Sequence, residues 1–207
     1  MNAFIDLVKD IFPSTVDKFT AEEAKECLKQ FRKENKFGNQ SVGLGKEYDF
    51  FTKYSDDILR QGDILDKVPF LYINTKGEQK RLITKGMILS NTCDLSRDEY
   101  IHIAPLIEIE DLIKVVDEEK RVNYKKDLID NRIFRFLYLP HNCLKDYVVN
   151  FHLITSFPRG LMVNKIESKE INVENSLNQI GFYFLLCKLT VYFMREENPK
   201  ENLRKVV

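Results

Sequence analysis

Apolar and polar positions divide the chain into a helical start, a long run of short strands and a helical end. From 4 to 12 the apolar residues Phe4, Ile5, Val8, Ile11 and Phe12 recur at helical spacing, and Pro13 ends the pattern. Thr20-Ala21-Glu22-Glu23 reads as a capping box: the Thr20 hydroxyl accepts from the amide of residue 23, and the Glu23 carboxylate reaches back to the amide of residue 20. Ala24, Cys27, Leu28 and Phe31 supply the buried stripe of that second helix, and Gly38 is its stop. Between 38 and 57 no period holds. The aromatic cluster Tyr48, Phe50, Phe51 and Tyr54 predicts a loop packed onto the core, with base stacking as the functional alternative.

Gly62-Asp63-Ile64-Leu65 starts a strand that continues through an apolar run from 68 to 73. Asn74-Thr75-Lys76-Gly77 is turn chemistry, with Gly77 free to take positive φ. The return strand carries Leu82-Ile83 and Gly86-Met87-Ile88-Leu89-Ser90, and Pro69 predicts that its own segment is an edge or is bulged. After a loop over 91–99, Tyr100-Ile101-His102-Ile103-Ala104 is a further strand, closed by Pro105. The densely charged stretch 110–135 predicts a turn or two of helix around Leu112, Ile113, Val115 and Val116, then loop. Strands follow at 133–139, stopped by Pro140, and at 147–154. Asn175 or Ser176 caps a closing helix that runs to about Glu197, ahead of Pro199. This order gives an α+β chain rather than alternating βαβ units. The closing helix is apolar nearly all round, which predicts burial in the body or against a partner.

Lys plus Arg equals Asp plus Glu at 32 each, so no overall field draws the molecule to polyanions, and any nucleic-acid contact needs a local patch. The first residues, Met1-Asn2-Ala3-Phe4-Ile5-Asp6, lack the pattern of a secretory signal. The longest apolar stretch, 180–194, is interrupted by Lys188 and falls short of the roughly 20 residues that span a bilayer. A cytoplasmic protein without membrane association is expected. Cys27, Cys93, Cys143 and Cys187 lie far apart, with no Cys-x-x-Cys and no His at ligand spacing, so neither a metal nor a disulfide framework is expected, and no cofactor motif is present.

Two stretches carry candidate chemistry. Asn91-Thr92-Cys93-Asp94 directly follows a strand, where side chains stand exposed on a rigid base. Cys93 and His102 can form a thiolate pair that Asp94 orients, or Cys93 is a small filler, Asp94 a backbone cap and His102 a structural residue. His141 and His152 have no partners in sequence. Lys76, Lys80, Arg81 and Lys85 make a basic hairpin, and Lys125, Lys126, Arg132 and Arg135 a second basic cluster; either binds phosphates or is a solvated face diluted by Glu78, Asp127 and Asp130.

Gly62-Asp63-Ile64-Leu65, Gly77-Glu78-Gln79, Met87-Ile88-Leu89-Ser90-Asn91 and Ile103-Ala104-Pro105-Leu106-Ile107 together resemble the framework of the MazF/PemK family, over about 46 of the 207 residues. The resemblance implies a small, strongly curved SH3-like β-barrel over 58–160, an added N-terminal helical extension and loop over 1–57, and a C-terminal helix over 161–207 that packs on the barrel or a partner. It also implies single-strand-specific RNA cleavage, with the 2′-hydroxyl as nucleophile and with the Arg of an Arg-Pro pair and the Thr of a Pro-x-Thr at the site. Here the Arg-Pro pair falls on Thr84-Lys85 and the Thr on Ile107, which offers neither a proton nor a hydrogen bond. Two expectations follow. One is a degenerate, non-catalytic protein whose partner is an antitoxin, a sigma factor or a protease in prokaryotic antiviral defence or stress signalling. A type III CRISPR system in which a MazF-like anti-sigma factor is cut by a nucleotide-activated Lon-type protease is one such setting. The other is an active endoribonuclease with a relocated site, using Arg81 or Lys85 with Thr84, Thr92 or His102 on RNA. A cysteine-dependent enzyme centred on Cys93 is a third and lesser reading.

Overall fold

The computed structural model of the chain describes residues 50–141 and 144–194. The helices expected at 4–12 and 20–31, Cys27, Cys143 and the end of the closing helix lie outside those residues.

The organising element is a long hairpin. Strand β2 (Ile64–Ile73) turns back into β3 (Gln79–Ile88) through the expected turn. Asn74 makes that turn: its side-chain oxygen accepts from the amides of Lys76 at 3.0 Å and Glu78 at 2.9 Å, and Gly77 sits at φ +79°. Along the hairpin Leu65 faces Gly86 but Val68 faces Thr84, so three steps on β2 answer two on β3. This is a β-bulge over Asp66 and Lys67, and Lys67 takes φ +48° to make it. Asp66 is held in place by Asn172, whose amide donates to Oδ1 at 2.6 Å and whose side chain donates to Oδ2 at 3.0 Å.

Six further strands complete the sheet: β1 (Phe51–Thr52), β4 (Tyr100–Glu108), β5 (Phe136–Leu137), β6 (Tyr147–Asn150), β7 (Thr155–Pro158) and β8 (Val173–Leu177), of which β8 and β4 flank the hairpin. They pair antiparallel in the order β1-β8-β2-β3-β4-β6-β5, with β7 also on β4. The chain is therefore α+β as its pattern implies. The sheet formed by the described strands is open, and the closed barrel is not seen in it.

Strands β6 and β7 follow one another along β4. Ile103 faces Thr155 and Leu106 faces Val149, three residues against six, and the 3-10 turn Phe151–Leu153 takes up the surplus. Pro105 faces Gly86 of β3 on one side, and on the other falls in the gap between the pairings of β6 and β7, where a missing N–H costs least. This is why β4 runs on to Glu108 instead of closing at Pro105.

Neighbouring residues of the central strands feed opposite faces, as the pleat requires. Ile64, Met87, Ala104 and Leu106 join one core cluster with Leu177 and Leu185, and Leu65, Ile88 and Ile103 join another with Val68, Phe70, Phe157 and Met162. Helix α3 (Arg159–Glu167) brings Met162 to the second cluster. Helices α1 (Ile109–Lys114) and α2 (Glu118–Ile129) cover a third around Phe136, Tyr138 and Val148. Helix α4 (Gln179–Met194) lies on the first cluster, and Gly181 lets it come close: a Cβ there would stand 2.4 Å from the Phe50 carbonyl oxygen. Lys188 of α4 is buried, donating to the carbonyls of Asn131 at 2.8 Å and Ile133 at 3.1 Å, and burial lowers its pKa to about 8.

Other expectations change. The strand expected at 133–139 shrinks to β5, and the one at 147–154 is divided by the 3-10 turn. Asn175 and Ser176 belong to β8 rather than capping α4; Asn178 caps it, accepting from the Gly181 amide at 3.0 Å. Among the aromatics at 48–54, Phe50 and Phe51 are core residues, whereas Tyr54 is exposed with the Arg60 guanidinium 3.9 Å over its ring. Among the described residues no helix is long and apolar enough to cross a membrane.

Candidate functional site: the β2–β3 arm and the turn at its root

Asp63 stands at the root of the β2–β3 arm, and the turn that follows β3 is tied to its neighbour Gln61. Gly62 enters the strand at φ +93°, and a Cβ there would lie 2.5 Å from Leu177. That conformation lets the Gly62 amide donate to Ile88 and the Ile88 amide donate to Asp63, closing the arm's root. The Asp63 side chain is only 1% exposed. Its Oδ2 accepts the Arg60 amide at 2.7 Å while Oδ1 accepts nothing. Burial raises its pKa; the nearby Ser176 hydroxyl and the Arg60 amide pull the other way without prevailing.

The turn over 91–98 stands beside this root. The Thr92 hydroxyl accepts the Gln61 amide at 3.0 Å, and the Gln61 side chain donates to the Leu89 carbonyl at 2.7 Å. Asn91 caps the turn, its side-chain oxygen accepting from the Cys93 amide at 2.9 Å. Cys93 is exposed and free of any disulfide. Asp94 pairs with Arg97 at 2.9 Å rather than orienting His102. The His102 amide donates to Ser90, and its Nδ1 lies 2.9 Å from the Ser156 hydroxyl, its cross-strand neighbour. Among the described residues no hydrogen bond joins Cys93 to His102. Among the described residues no group of three or more His, Cys, Asp or Glu is placed to hold a metal ion.

Several of the arm's polar groups are committed within the protein. Lys85 is ion-paired with Glu174 of β8, both half-buried, and Lys80 pairs with Glu78 at 2.9 Å. The Thr84 hydroxyl donates to the Leu106 carbonyl at 2.7 Å. Ile107, next along β4, is half-buried opposite Val148. Arg81 and Lys76 are exposed and carry no ion pair among the described residues. Two members of the second basic cluster are paired: Lys125 with Glu110 at 2.7 Å, and Arg132 with Asp127 at 3.3 Å and Asp130 at 3.1 Å. Arg135 lies over the Phe136 ring.

Pattern reading along the sequence passes over the most distinctive feature of the arm. Beyond the bulge Val68 and Phe70 point into the second core cluster, and Leu71 and Ile73 point away from it. Residues directly opposite on paired strands share a face, so Pro69 with Ile83, Leu71 with Arg81 and Ile73 with Gln79 form one outer surface. On it Leu71 is 51% exposed, Ile73 72% and Ile83 63%. The signal was present: from 68 to 73 both alternating sets are apolar, which is the signature of a strand built to be covered on two sides. No protein family, curated protein or solved structure matches this chain.

Proposed function

We propose that this chain is a MazF/PemK-like scaffold without RNA cleavage that acts by binding another protein. In this reading the bent sheet around 62–107 derives from an SH3-like barrel. Its setting is a prokaryotic defence or stress circuit, with an antitoxin, a sigma factor or a protease as the partner. Support comes from the strand, turn and strand that the resembling motifs form, and above all from the fate of the polar groups at the positions where the resemblance would put the cutting residues. Lys85 is committed to Glu174, Thr84 to the Leu106 carbonyl, and Ile107 brings a hydrocarbon side chain. Phosphodiester cleavage needs a proton donor or a free cation where charge develops on phosphate, and these three supply neither.

The test is incubation of the purified protein with a mixed single-stranded RNA pool, beside the double variant Arg81→Ala/Lys85→Ala. Intact RNA in both is expected. Fragments ending in a 2′,3′-cyclic phosphate that form with the wild type and vanish with the variant would instead establish the endoribonuclease reading.

A further inference from the structure

The outer face of the β2–β3 arm is a surface built for contact. The alternation set by Leu65 would carry Lys67, Pro69, Leu71 and Ile73 into the second core cluster if β2 were regular. The bulge over Asp66 and Lys67 reverses the assignment: Val68 and Phe70 go in, and Leu71 and Ile73 come out. A solubilising pattern would have polar residues on the outward set. Here that set is Pro69, Leu71 and Ile73, faced by Ile83, on the same side of the sheet as the core that α4 covers further back. Within this strip, directly across from Leu71, stands Arg81, and Lys76 projects at the tip; neither has a carboxylate partner among the described residues. Lys67 and Lys80, by contrast, have Asp66 at 3.5 Å and Glu78 at 2.9 Å. From Pro69 to Ile73 the strip is about 14 Å long, enough for about two and a half turns of helix or a short extended stretch.

We propose that this strip docks a short segment of a partner protein presenting two or three aliphatic or aromatic side chains and at least one carboxylate, the apolar groups seating on Leu71, Ile73 and Ile83 and the carboxylate on Arg81. The proposal rests on the protein-binding function and places it on the molecule. Charge complementarity selects the occupant. One unpaired guanidinium set among aliphatic side chains suits a single carboxylate on an apolar segment, while a polyanion would meet Glu78 and Asp66 on the same arm.

The full chain is used to select binders from a random peptide library displayed on phage, and the selected peptides are measured by fluorescence anisotropy against wild type, Ile73→Ser, Leu71→Ser and Arg81→Glu. Recovered peptides should combine spaced apolar residues with Asp or Glu. Each serine variant should weaken them at least tenfold. Arg81→Glu should do the same and, when reselected, should prefer Lys or Arg in place of the acid. Unchanged circular dichroism in all three variants confirms intact folding. Failure to recover any peptide, peptides without that pattern, or binding unmoved by the variants would overturn the proposal. Two other occupants are excluded in parallel, and either would also overturn it. Self-association by sedimentation that Ile73→Ser abolishes would make a second copy the occupant. A cross-link from benzoylphenylalanine at position 73 to the same chain would make it a segment of this protein. Failure here with RNA still uncut moves the partner elsewhere on the surface, whereas RNA cleavage removes the protein-binding function itself.

Discussion

At the root of the β2–β3 arm Ile64, Leu65, Met87 and Ile88 are all buried, feeding cores on both sides of the sheet. At its tip Phe70 is buried while Leu71, Ile73 and Ile83 face solvent. Along β2 the tip, 68–73, is no less apolar in sequence than the root. What separates them is coverage: β8 and β4 flank the root and α4 lies over it, whereas the tip extends past the pairings of both neighbours and is covered on one face. A run of apolar residues therefore states how many faces a strand can bury, and its neighbours decide how many it does bury.

The sharpest way to break this comparison is to attack the covered face of the tip. Phe70 is essentially inaccessible, meets Phe157 edge-on at 5.5 Å between ring centroids, and packs over Gly86, where a Cβ would lie 3.1 Å from its Cζ. Phe70→Ala should cost about 3–5 kcal/mol in urea unfolding, the range for emptying a close-packed aromatic site. That is a large share of a typical domain's stability. A loss under about 1 kcal/mol would show the tip to be loosely attached, and the contrast between its two faces would fail.

The root supplies a second, smaller effect with a distinct pH signature. Burial raises the Asp63 pKa above its ordinary 3.8, so between those two values the folded protein holds more protons than the unfolded chain. Wild type therefore loses stability as pH rises through that window. Asp63→Asn keeps an acceptor for the Arg60 amide and carries no charge to desolvate. The variant should exceed wild type by on the order of 1 kcal/mol at pH 7, the scale of one unsatisfied buried acceptor, and the gain should vanish as pH falls towards 3.8. A constant difference across that range would show that Asp63 does not titrate differently in the fold.

Much of this arm is legible in the sequence. Asn74 and Gly77 announced the turn, and Pro69 announced an edge or a bulge in its strand. The parts that escaped did so for identifiable reasons. Strand β8 buries Asn175 and Ser176, so it carries no hydrophobic alternation. Helix α2 buries only Leu128 of its 12 residues and is charged elsewhere, so no apolar stripe marks it. Where the bulge falls, and which residues it turns outward, was hidden because both sets of alternate residues beyond it are apolar, and a one-residue shift leaves the pattern looking the same. The ties of Lys85 to Glu174 and Thr84 to Leu106 join residues far apart in sequence, beyond the reach of local spacing.

The smallest expected effect is the most discriminating. The double variant Leu71→Ser/Ile73→Ser removes two large apolar side chains from the same strand as Phe70, yet unfolding free energy should stay within about 0.5 kcal/mol of wild type, because both are already in water. Serine is a somewhat poorer strand former than either residue, so any residual change should be a small loss. A loss approaching that of Phe70→Ala would mean that the outer face is covered within the protein itself, and the surface offered to a partner would not exist. Unchanged stability with lost peptide binding would separate the two faces cleanly: one holds the arm to the body, and the other is kept apolar for a reason that folding does not supply.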